Sequence, residues 1–380
     1  MVRPPFQTLS IAAATALSLL GDAVMYSVLP SYYGQIGLSP LQVGILLSIN
    51  RWGRLTSNHL AERCYRGTSV KVWLVSAYLL GSLLTATYGL FKAFSVLLVA
   101  RILWGVCFSF IRQAGIMTVV NTSREAHLGE HMGFYRGISS SGWFLGMFFA
   151  GLSHDLFGFT PTLIIFSLCS LASAPLGFLS QKATDHVERP SLKINFLKGK
   201  LGVMFCGFAV GIVGLGLMMS TLGFLLKEQV GGSMNVFGRT MGVATMTGTV
   251  LAIRWILDAG SPILGAIADR VGRKDSIPMF FAVGGCVLGL AGLPFGPVWM
   301  ICGVLVFFCC ETSLDTIFAA WTGEQGSKFV ASYVTAYDLG AAIGPLLGWS
   351  IVEFGLSISL IFIAGAIFYI SGAFIAKILM

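Results

Sequence analysis

Charge is what this sequence has least of. Of its 380 residues, 24 are Lys or Arg and 16 are Asp or Glu, 11% in all, where a soluble domain carries about 25%. With 56% hydrophobic residues, there is too little polar side chain to cover water-facing domains of this length, which excludes a soluble chain. No G-x-x-x-x-G-K-[ST] run occurs, so work driven by the chain's own P-loop ATP hydrolysis is excluded. The eight cysteines form no C-x-x-C pair and mostly sit inside apolar runs. They read as buried helix residues, silent on redox compartment. No nucleophile–base or metal constellation stands out, so neither an enzyme, a cofactor nor a resident metal is expected. His127-Leu128-Gly129-Glu130-His131 matches an H-x-x-E-H pattern, but in a short connection with no catalytic domain around it. The Asn121-Thr122-Ser123 sequon falls on the side where it stays unmodified.

What the sequence does have is apolar length. Runs fall at about 8–34, 41–61, 70–91, 94–120, 131–154, 160–180, 201–226, 238–267, 276–294, 297–321, 328–353 and 356–378. A spanning helix needs about 20 such residues, so these predict twelve transmembrane helices. Gly is abundant too, 47 residues, and small residues let spanning helices approach closely. The first run is too long for the apolar core of a signal peptide and reads as the first span. The longest polar interval, 181–200, divides the runs six and six. The expected organisation is a six-helix bundle over 1–180, a linker over 181–200 and a second bundle over 201–380.

The net charge of +8 is a topology signal, not a nucleic-acid footprint. With the N-terminus cytoplasmic, inner segments hold Arg3, Arg63, Arg66, Lys71, Arg124, Lys182, Arg189, Lys193, Lys198, Lys200, Arg270, Arg273, Lys274, Lys328 and Lys377. Outer segments hold only Lys92, Lys227 and Arg239. Cytoplasmic loops collect Lys and Arg, so both termini are expected inside the cell (inner) membrane.

The halves echo one another. Residues 58–67 (NHLAERCYRG) and 265–274 (GAIADRVGRK) follow the second and eighth runs at an offset of 207. Tyr135-Arg136 with Gly142 and Gly146 returns as Tyr337-Asp338 with Gly344 and Gly348 at an offset of 202. Such repeats mark secondary transporter folds.

Residues 265–274 resemble the G-x-x-x-D-R-x-G-R-K loop signature of the major facilitator superfamily. The first-half copy is degraded, with Asn58 for the leading Gly, Glu62 for Asp and Tyr65 for the second Gly. Arg101-x-x-x-Gly105 is similar to a second family motif. Asp22, Leu29-Pro30 and Gly37-Leu38-Ser39 are similar to the first helix of its drug/proton antiporters. One departure is clear: the G-x-x-x-G-P-x-x-G-type run of antiporters lies on the eleventh run (Gly340, Gly344, Pro345, Gly348), not the fifth. The resemblance implies an all-α fold of two pseudo-symmetric six-helix bundles, without a metal or cofactor, functional as a monomer. It also implies that Glu62, Arg63 and Arg66, with Gly265, Asp269, Arg270, Gly272, Arg273 and Lys274, form cytoplasmic loops that bias its conformational equilibrium.

An ionised group at bilayer depth costs at least about 2.5–3.5 kcal/mol, so it needs a partner or a wet cavity. Eleven residues qualify: Asp22, Asp258, Glu311, Asp315 and Asp338, with Arg51, Arg54, Arg101, Arg112, Arg136 and Arg254. The repeat places Arg51 opposite Asp258, Arg136 opposite Asp338 and, at offset 203, Arg112 opposite Asp315. Three related positions are basic in the first half and acidic in the second. In the fold the resemblance implies, helix two faces eleven and five faces eight. Arg51–Asp338 and Arg136–Asp258 are therefore the expected gate pairs; the alternative is pairing within each half. Asp22, alone among apolar neighbours, is a proton-coupling or cation-binding carboxylate, or else an ion pair with Arg101 or Arg112. Glu311 and Asp315, one turn apart, either share a proton or are neutralised by Arg254 or the inner loops. Arg101, Phe108 and Arg112 share a face and offer an anion contact.

The expected function is proton-coupled export of a small amphiphilic or charged organic molecule by alternating access. The partners are that substrate, protons and the bilayer, with no nucleic acid. The alternatives are an organic-anion or zwitterion carrier, and a non-transporting receptor or assembly factor.

Overall fold

A computed structural model describes residues 3–67, 69–123, 127–180, 200–236, 238–259, 272–325 and 327–379. Almost all of them are helical. The elements are α1 (Phe6–Ser27), α2 (Leu29–Ile36), α3 (Pro40–Gly67), α4 (Val70–Leu90), α5 (Phe94–Thr122), α6 (Leu128–Phe157), α7 (Phe159–Leu171) and α8 (Ser173–Ser180). Then follow α9 (Lys200–Gly211), a π-helical segment (Ile212–Met218), α10 (Met219–Val230) and α11 (Val243–Ala259). The last are α12 (Arg273–Ala291), α13 (Pro297–Gln325), α14 (Ser327–Glu353) and α15 (Ser359–Leu379). Helices prevail because a helix satisfies its backbone polar groups internally, which hydrocarbon demands.

Seven of the described helical stretches are long and apolar enough to cross a membrane: Phe6–Ser27, Val70–Leu90, Phe94–Thr122, Phe159–Ser180, Leu201–Val230, Pro297–Thr322 and Ser359–Ile378. The long helices α3, α6 and α14 are not among them, because polar and small residues, such as Arg51 and Arg54 in α3, Ser139 to Gly142 in α6 and Asp338 with Pro345 in α14, lower their mean hydropathy. Large apolar side chains such as Phe149, Leu168, Phe374 and Ile378 point outward from the bundle helices, as lipid contact requires.

The first apolar run is broken at Val28, where Pro30 lies in the first turn of α2 and lacks the N–H that would bond back to Tyr26. Pro175 does the same between α7 and α8. One expectation needs correcting: the fold is not wholly helical. Ser233–Val236 and Arg239–Gly242 form a short two-stranded hairpin ahead of α11. Gly231 (φ 71°) and Gly238 (φ 79°) take left-handed backbone there that other residues resist.

The chain divides into two compact units. The first comprises Met1–Leu38, Ile49–Glu188 and Asn235–Trp255; the second comprises Ser39–Ser48, Arg189–Met234 and Ile256–Met380. They differ from the contiguous stretches 1–180 and 201–380 in two places, each with a packing reason. The start of α3 groups with α14, where Ser48 donates to the Ala342 carbonyl, the Leu41 N–H to Glu353 (2.9 Å), and Gly44 lets Trp349 close in. Most of α11, as far as Trp255, groups with α6, where Gly151 meets the Ala244 backbone and Gly248 that of Met147.

Within each unit the repeated glycines do the same work. A Cβ at Gly142 would strike the Ala16 carbonyl of α1, and one at Gly344 the Ile212 carbonyl of the π segment. Gly146 meets Ala23 of α1, while Gly348 meets Thr221 and Leu217. So α6 lies on α1, and α14 on the α9–π–α10 rod, at backbone contact distance. Between spanning helices such packing, not a hydrophobic drive, supplies the adhesion.

Candidate functional site

Asp22 and Arg101 form a buried ion pair in the first unit. Asp22 lies near the C-terminal end of α1 and Arg101 in the second turn of α5, and the guanidinium donates from Nη1 to Oδ1. Arg101 is 0% exposed and Asp22 2%. The guanidinium carbon stands 5.9 Å from the centre of the Tyr26 ring and 5.8 Å from that of Tyr88. The expectation that Asp22 stands alone among apolar neighbours is thus corrected: it faces a full counter-charge, the ion-pair alternative. The sequence named Arg101 and Arg112 as possible partners without choosing, since the partner lies 79 residues away and helix packing makes the choice.

The polar cluster continues into aromatic rings. Trp143 of α6 meets Tyr26 edge-on at 5.8 Å and stacks on Trp255 of α11 at 5.6 Å with 14° between planes. The Arg254 guanidinium lies 4.9 Å over the Trp255 ring, and Arg254 is itself buried. In sequence, nothing in its apolar run sets Trp255 apart.

The second unit holds Glu311 and Asp315 on α13. The Tyr333 hydroxyl of α14 donates to Asp315 Oδ1 at 2.9 Å, and its ring stacks on Phe318 at 5.3 Å. Glu311 is 0% exposed, and its carboxyl lies against Gly214 in the middle of the π segment. A Cβ at Gly214 would fall 2.7 Å from Glu311 Oε1. The glycine is what lets a carboxylate approach this backbone. π-Helical turns recur at functional sites. In sequence, Gly211-x-x-Gly214 reads only as helix packing.

Asp155, just beyond the apolar run 131–154, caps α11. Its Oδ2 accepts from the Thr245 N–H (2.8 Å) and the Thr245 hydroxyl (2.6 Å). The Tyr32 hydroxyl donates to Oδ1 at 3.4 Å, and His154 Nδ1 lies 3.6 Å from the same oxygen. The His154 ring packs on Tyr32 with centroids 4.1 Å apart. A carboxylate at a helix N-terminus also meets the positive end of the helix dipole. Burial pushes the Asp155 carboxyl up, but His154 and the two Thr245 donors outweigh it and hold the pKa below the ordinary 3.8. A depressed pKa gives stability that is present above 3.8 and lost as pH falls through the folded value. Asp155→Ala should therefore lower unfolding free energy by about 1.5–3 kcal/mol at pH 7. By denaturant titration in detergent, that deficit should be no smaller at pH 5, where a protonated imidazole beside the carboxylate can only add to it, and should disappear only below 3.8. A deficit that already faded between pH 7 and 5 would contradict the cap.

The other expected residues are dispersed. Arg51 is buried on α3, Arg112 and Arg136 are exposed, and Asp258 and Asp338 are half-buried. Arg51 and Arg136 belong to the first unit, Asp258 and Asp338 to the second. The anion face expected of Arg101, Phe108 and Arg112 is not one site: Arg101 faces Asp22, whereas Phe108 stacks on Trp104 (5.4 Å) under Arg54. Of the loop residues, Glu62 is half-buried, Arg63 is exposed and Gly272 has φ 98°. Gly265, Asp269 and Arg270, the side chains of Arg66, Arg273 and Lys274, and linker positions 181–199 lie outside the described residues.

Comparison with known proteins agrees with this architecture. The family model described as Major Facilitator Superfamily matches residues 11–345. The chain belongs to the major facilitator superfamily, and it is a multi-pass membrane transporter, not an enzyme. It is 22% identical over 368 residues to Multidrug resistance protein 2 of Bacillus subtilis (strain 168), covering 91% of this chain and 88% of the relative. Its fold is similar to a bacterial homolog of the human lysosomal transporter Spinster, inward-facing and unoccupied. There the TM-score is 0.76 at 13% identity over 100% of this chain and 98% of that one. It is likewise similar to a POT family transporter in complex with a thioalcohol-conjugated peptide, with TM-score 0.78 and 12% identity over 98% and 95% of the two chains.

Proposed function

We propose that this transporter couples protons to the export of a small amphiphilic or charged organic molecule. It alternates access between two six-helix bundles, 1–180 and 201–380, joined by a linker over 181–200. Twelve spans cross the cell (inner) membrane with both termini cytoplasmic, and the monomer is the working unit. The Lys and Arg bias of the inner segments supports the orientation, and the multidrug relative supports the direction of flux.

The observation that carries the reading is the burial of two carboxylates, Asp22 at 2% and Glu311 at 0% exposure. A buried carboxyl that can lose and regain a charged partner is a proton carrier, because burial favours its neutral form whenever the partner leaves. In this scheme Glu311 and Asp315 hold the transported proton. Asp22 exchanges between Arg101 and a proton, and the substrate competes with Asp22 for Arg101. Arg51–Asp338 and Arg136–Asp258 form the cytoplasm-side gate. Such pairs suit a bistable element: intact they add little stability, but losing one partner costs about 3–5 kcal/mol. The loops at 62–66 and 265–274 bias the same equilibrium.

The test uses reconstituted vesicles and two probes in turn, tetraphenylphosphonium and 1-naphthoate. An imposed pH gradient should drive accumulation of at least one probe by the wild type. In Glu311→Gln, accumulation against the gradient should stop while exchange at equal concentrations continues. Gradient-driven accumulation by Glu311→Gln at the wild-type rate would refute the assignment. An organic-anion or zwitterion carrier is the second reading, favoured by the guanidiniums of Arg101 and Arg254 in the aromatic cluster.

A further inference from the structure

Two contacts in the chain repeat with the same spacing, and neither the ion pair nor the coupling carboxylates involve them. In the first unit, Asp155 near the end of α6 accepts from the Thr245 N–H at the start of α11 (2.8 Å). Gly248, three residues on, lets the Met147 carbonyl of α6 close in. In the second unit, Glu353 ends α14 and accepts from the Leu41 N–H at the start of α3 (2.9 Å). Gly44, three residues on, lies against the Pro345 carbonyl of α14. Leu41 and Gly44 stand 204 residues before Thr245 and Gly248, while Met147 and Asp155 stand 198 before Pro345 and Glu353. All four positions of one contact thus return in the other, with the roles of the two sequence halves exchanged. A single carboxylate on a helix start is ordinary capping chemistry. A cap and a glycine approach that recur together at fixed offsets belong to the repeat itself. Each contact joins a helix start from one sequence half to a helix end from the other, and on the orientation proposed above all four ends lie on the outer face.

We propose that Asp155 and Glu353 are a matched pair of latches that hold the outer ends of the two six-helix bundles together, and that opening toward the outside requires both to let go. This deepens the transport reading by adding a control on it, and it rests on that reading for the division into two alternating bundles. The chemistry suits a latch. Each carboxylate takes the place of water on a helix N-terminus, where the first N–H groups lack intrahelical acceptors and the dipole favours negative charge. Both carboxylates stand at exposed positions, so release strands no buried charge, unlike the loss of Arg101 from Asp22. Asp155 is the stronger member: it accepts twice from Thr245 and lies beside His154 and Tyr32, whereas Glu353 meets the Leu41 N–H in the open. The role is one of positioning, with no contact to substrate.

The test is hydrogen–deuterium exchange by mass spectrometry on the purified full chain in detergent, for wild type, Asp155→Asn, Glu353→Gln and the double variant. Both substitutions keep the side-chain size and remove the charge. At the outer helix starts, 40–48 and 243–250, exchange should quicken about tenfold in Asp155→Asn, about threefold in Glu353→Gln and about thirtyfold in the double variant. At the opposite ends of α3 and α6, residues 58–67 and 128–136, exchange should slow in the same order, because a transporter that opens outward shuts on the inner side. Gly248→Val blocks the approach, leaves the carboxylate in place and should act in the same direction. Glu228→Gln, an exposed carboxylate near the end of α10 on the same face, should change nothing. Faster exchange at the outer starts without slower exchange at the inner ends would reveal plain helix caps and overturn the latch. Exchange unchanged in the double variant would overturn it too. Failure of the two proposals is separable. Reciprocal exchange in a protein that accumulates neither probe in vesicles would sink the coupling and leave the latch. Gradient-driven accumulation by a protein without reciprocal exchange would do the reverse.

Discussion

Replacing Arg101 with alanine while Asp22 remains should cost about 3–5 kcal/mol of unfolding free energy, the largest effect of any single side chain in the first unit. The loss does not measure the worth of the pair. Two charges taken out of water recover little more than their desolvation even when well paired. Removal of one partner strands the other in an apolar interior. Arg101 is fully buried and Asp22 nearly so, so neither can turn to solvent when its partner is gone. The double substitution Asp22→Leu with Arg101→Met should consequently be much less damaging than Arg101→Ala alone. Asp22→Asn should fall in between, since the amide oxygen still accepts from the guanidinium. Denaturant unfolding of the detergent-solubilised chain, followed by tryptophan fluorescence, measures all three. A double variant as unstable as the single would show that the pair contributes directly and not through the penalty for breaking it.

The second large effect lies in the repeated glycines. Gly142→Val and Gly344→Val should each destabilise the chain by more than the usual 1–3 kcal/mol of overpacking. A side chain at either site meets carbonyl oxygen and backbone of the facing helix, not a movable side chain. A flexible neighbour can change rotamer, whereas backbone moves only if the helix does. The two positions correspond under the 202-residue repeat, so the losses should match within about 1 kcal/mol. Gly137→Val on the same helix as Gly142, with open space at its Cβ, is the control and should be nearly silent. Thermal unfolding of the three variants decides it. An effect at Gly142 without one at Gly344 would mean that the echo is a sequence coincidence with no common packing.

How much of this was legible beforehand follows from what periodicity encodes. Helix positions, the division between apolar and polar segments, and the equivalence of Gly142 with Gly344 all follow from local composition and self-similarity. Partnership does not. Arg101 and Arg112 both stood as partners for Asp22, and the choice between them is not encoded locally, because the counter-charge sits 79 positions away on a helix apolar nearly all round, where no stripe marks the face toward α1. Trp255 gave no signal for the same reason. The hairpin at 233–242 was missed because its strands are short and its turn lies beside a long apolar run, which draws the reading toward helix. Asp155 falls between the runs 131–154 and 160–180, and local composition does not encode its role as cap of a helix that begins 88 residues later. The π segment is invisible in principle: Gly211, Gly214 and Gly216 suit close helix packing equally well. Only the approach of Glu311 gives Gly214 a second meaning.

The measurement that bears most directly on proton coupling is the proton balance of substrate binding. Purified protein in weakly buffered detergent is titrated with 1-naphthoate and with tetraphenylphosphonium while the pH is recorded, from pH 5 to 9, for wild type, Asp22→Asn and Glu311→Gln. The expected result is a proton exchanged on binding over part of that range in the wild type. It should be abolished by Glu311→Gln, with the pH dependence shifted by Asp22→Asn. Binding that exchanges no proton at any pH, or an exchange unchanged in both variants, would contradict the proposal that the buried carboxylates couple transport to protons.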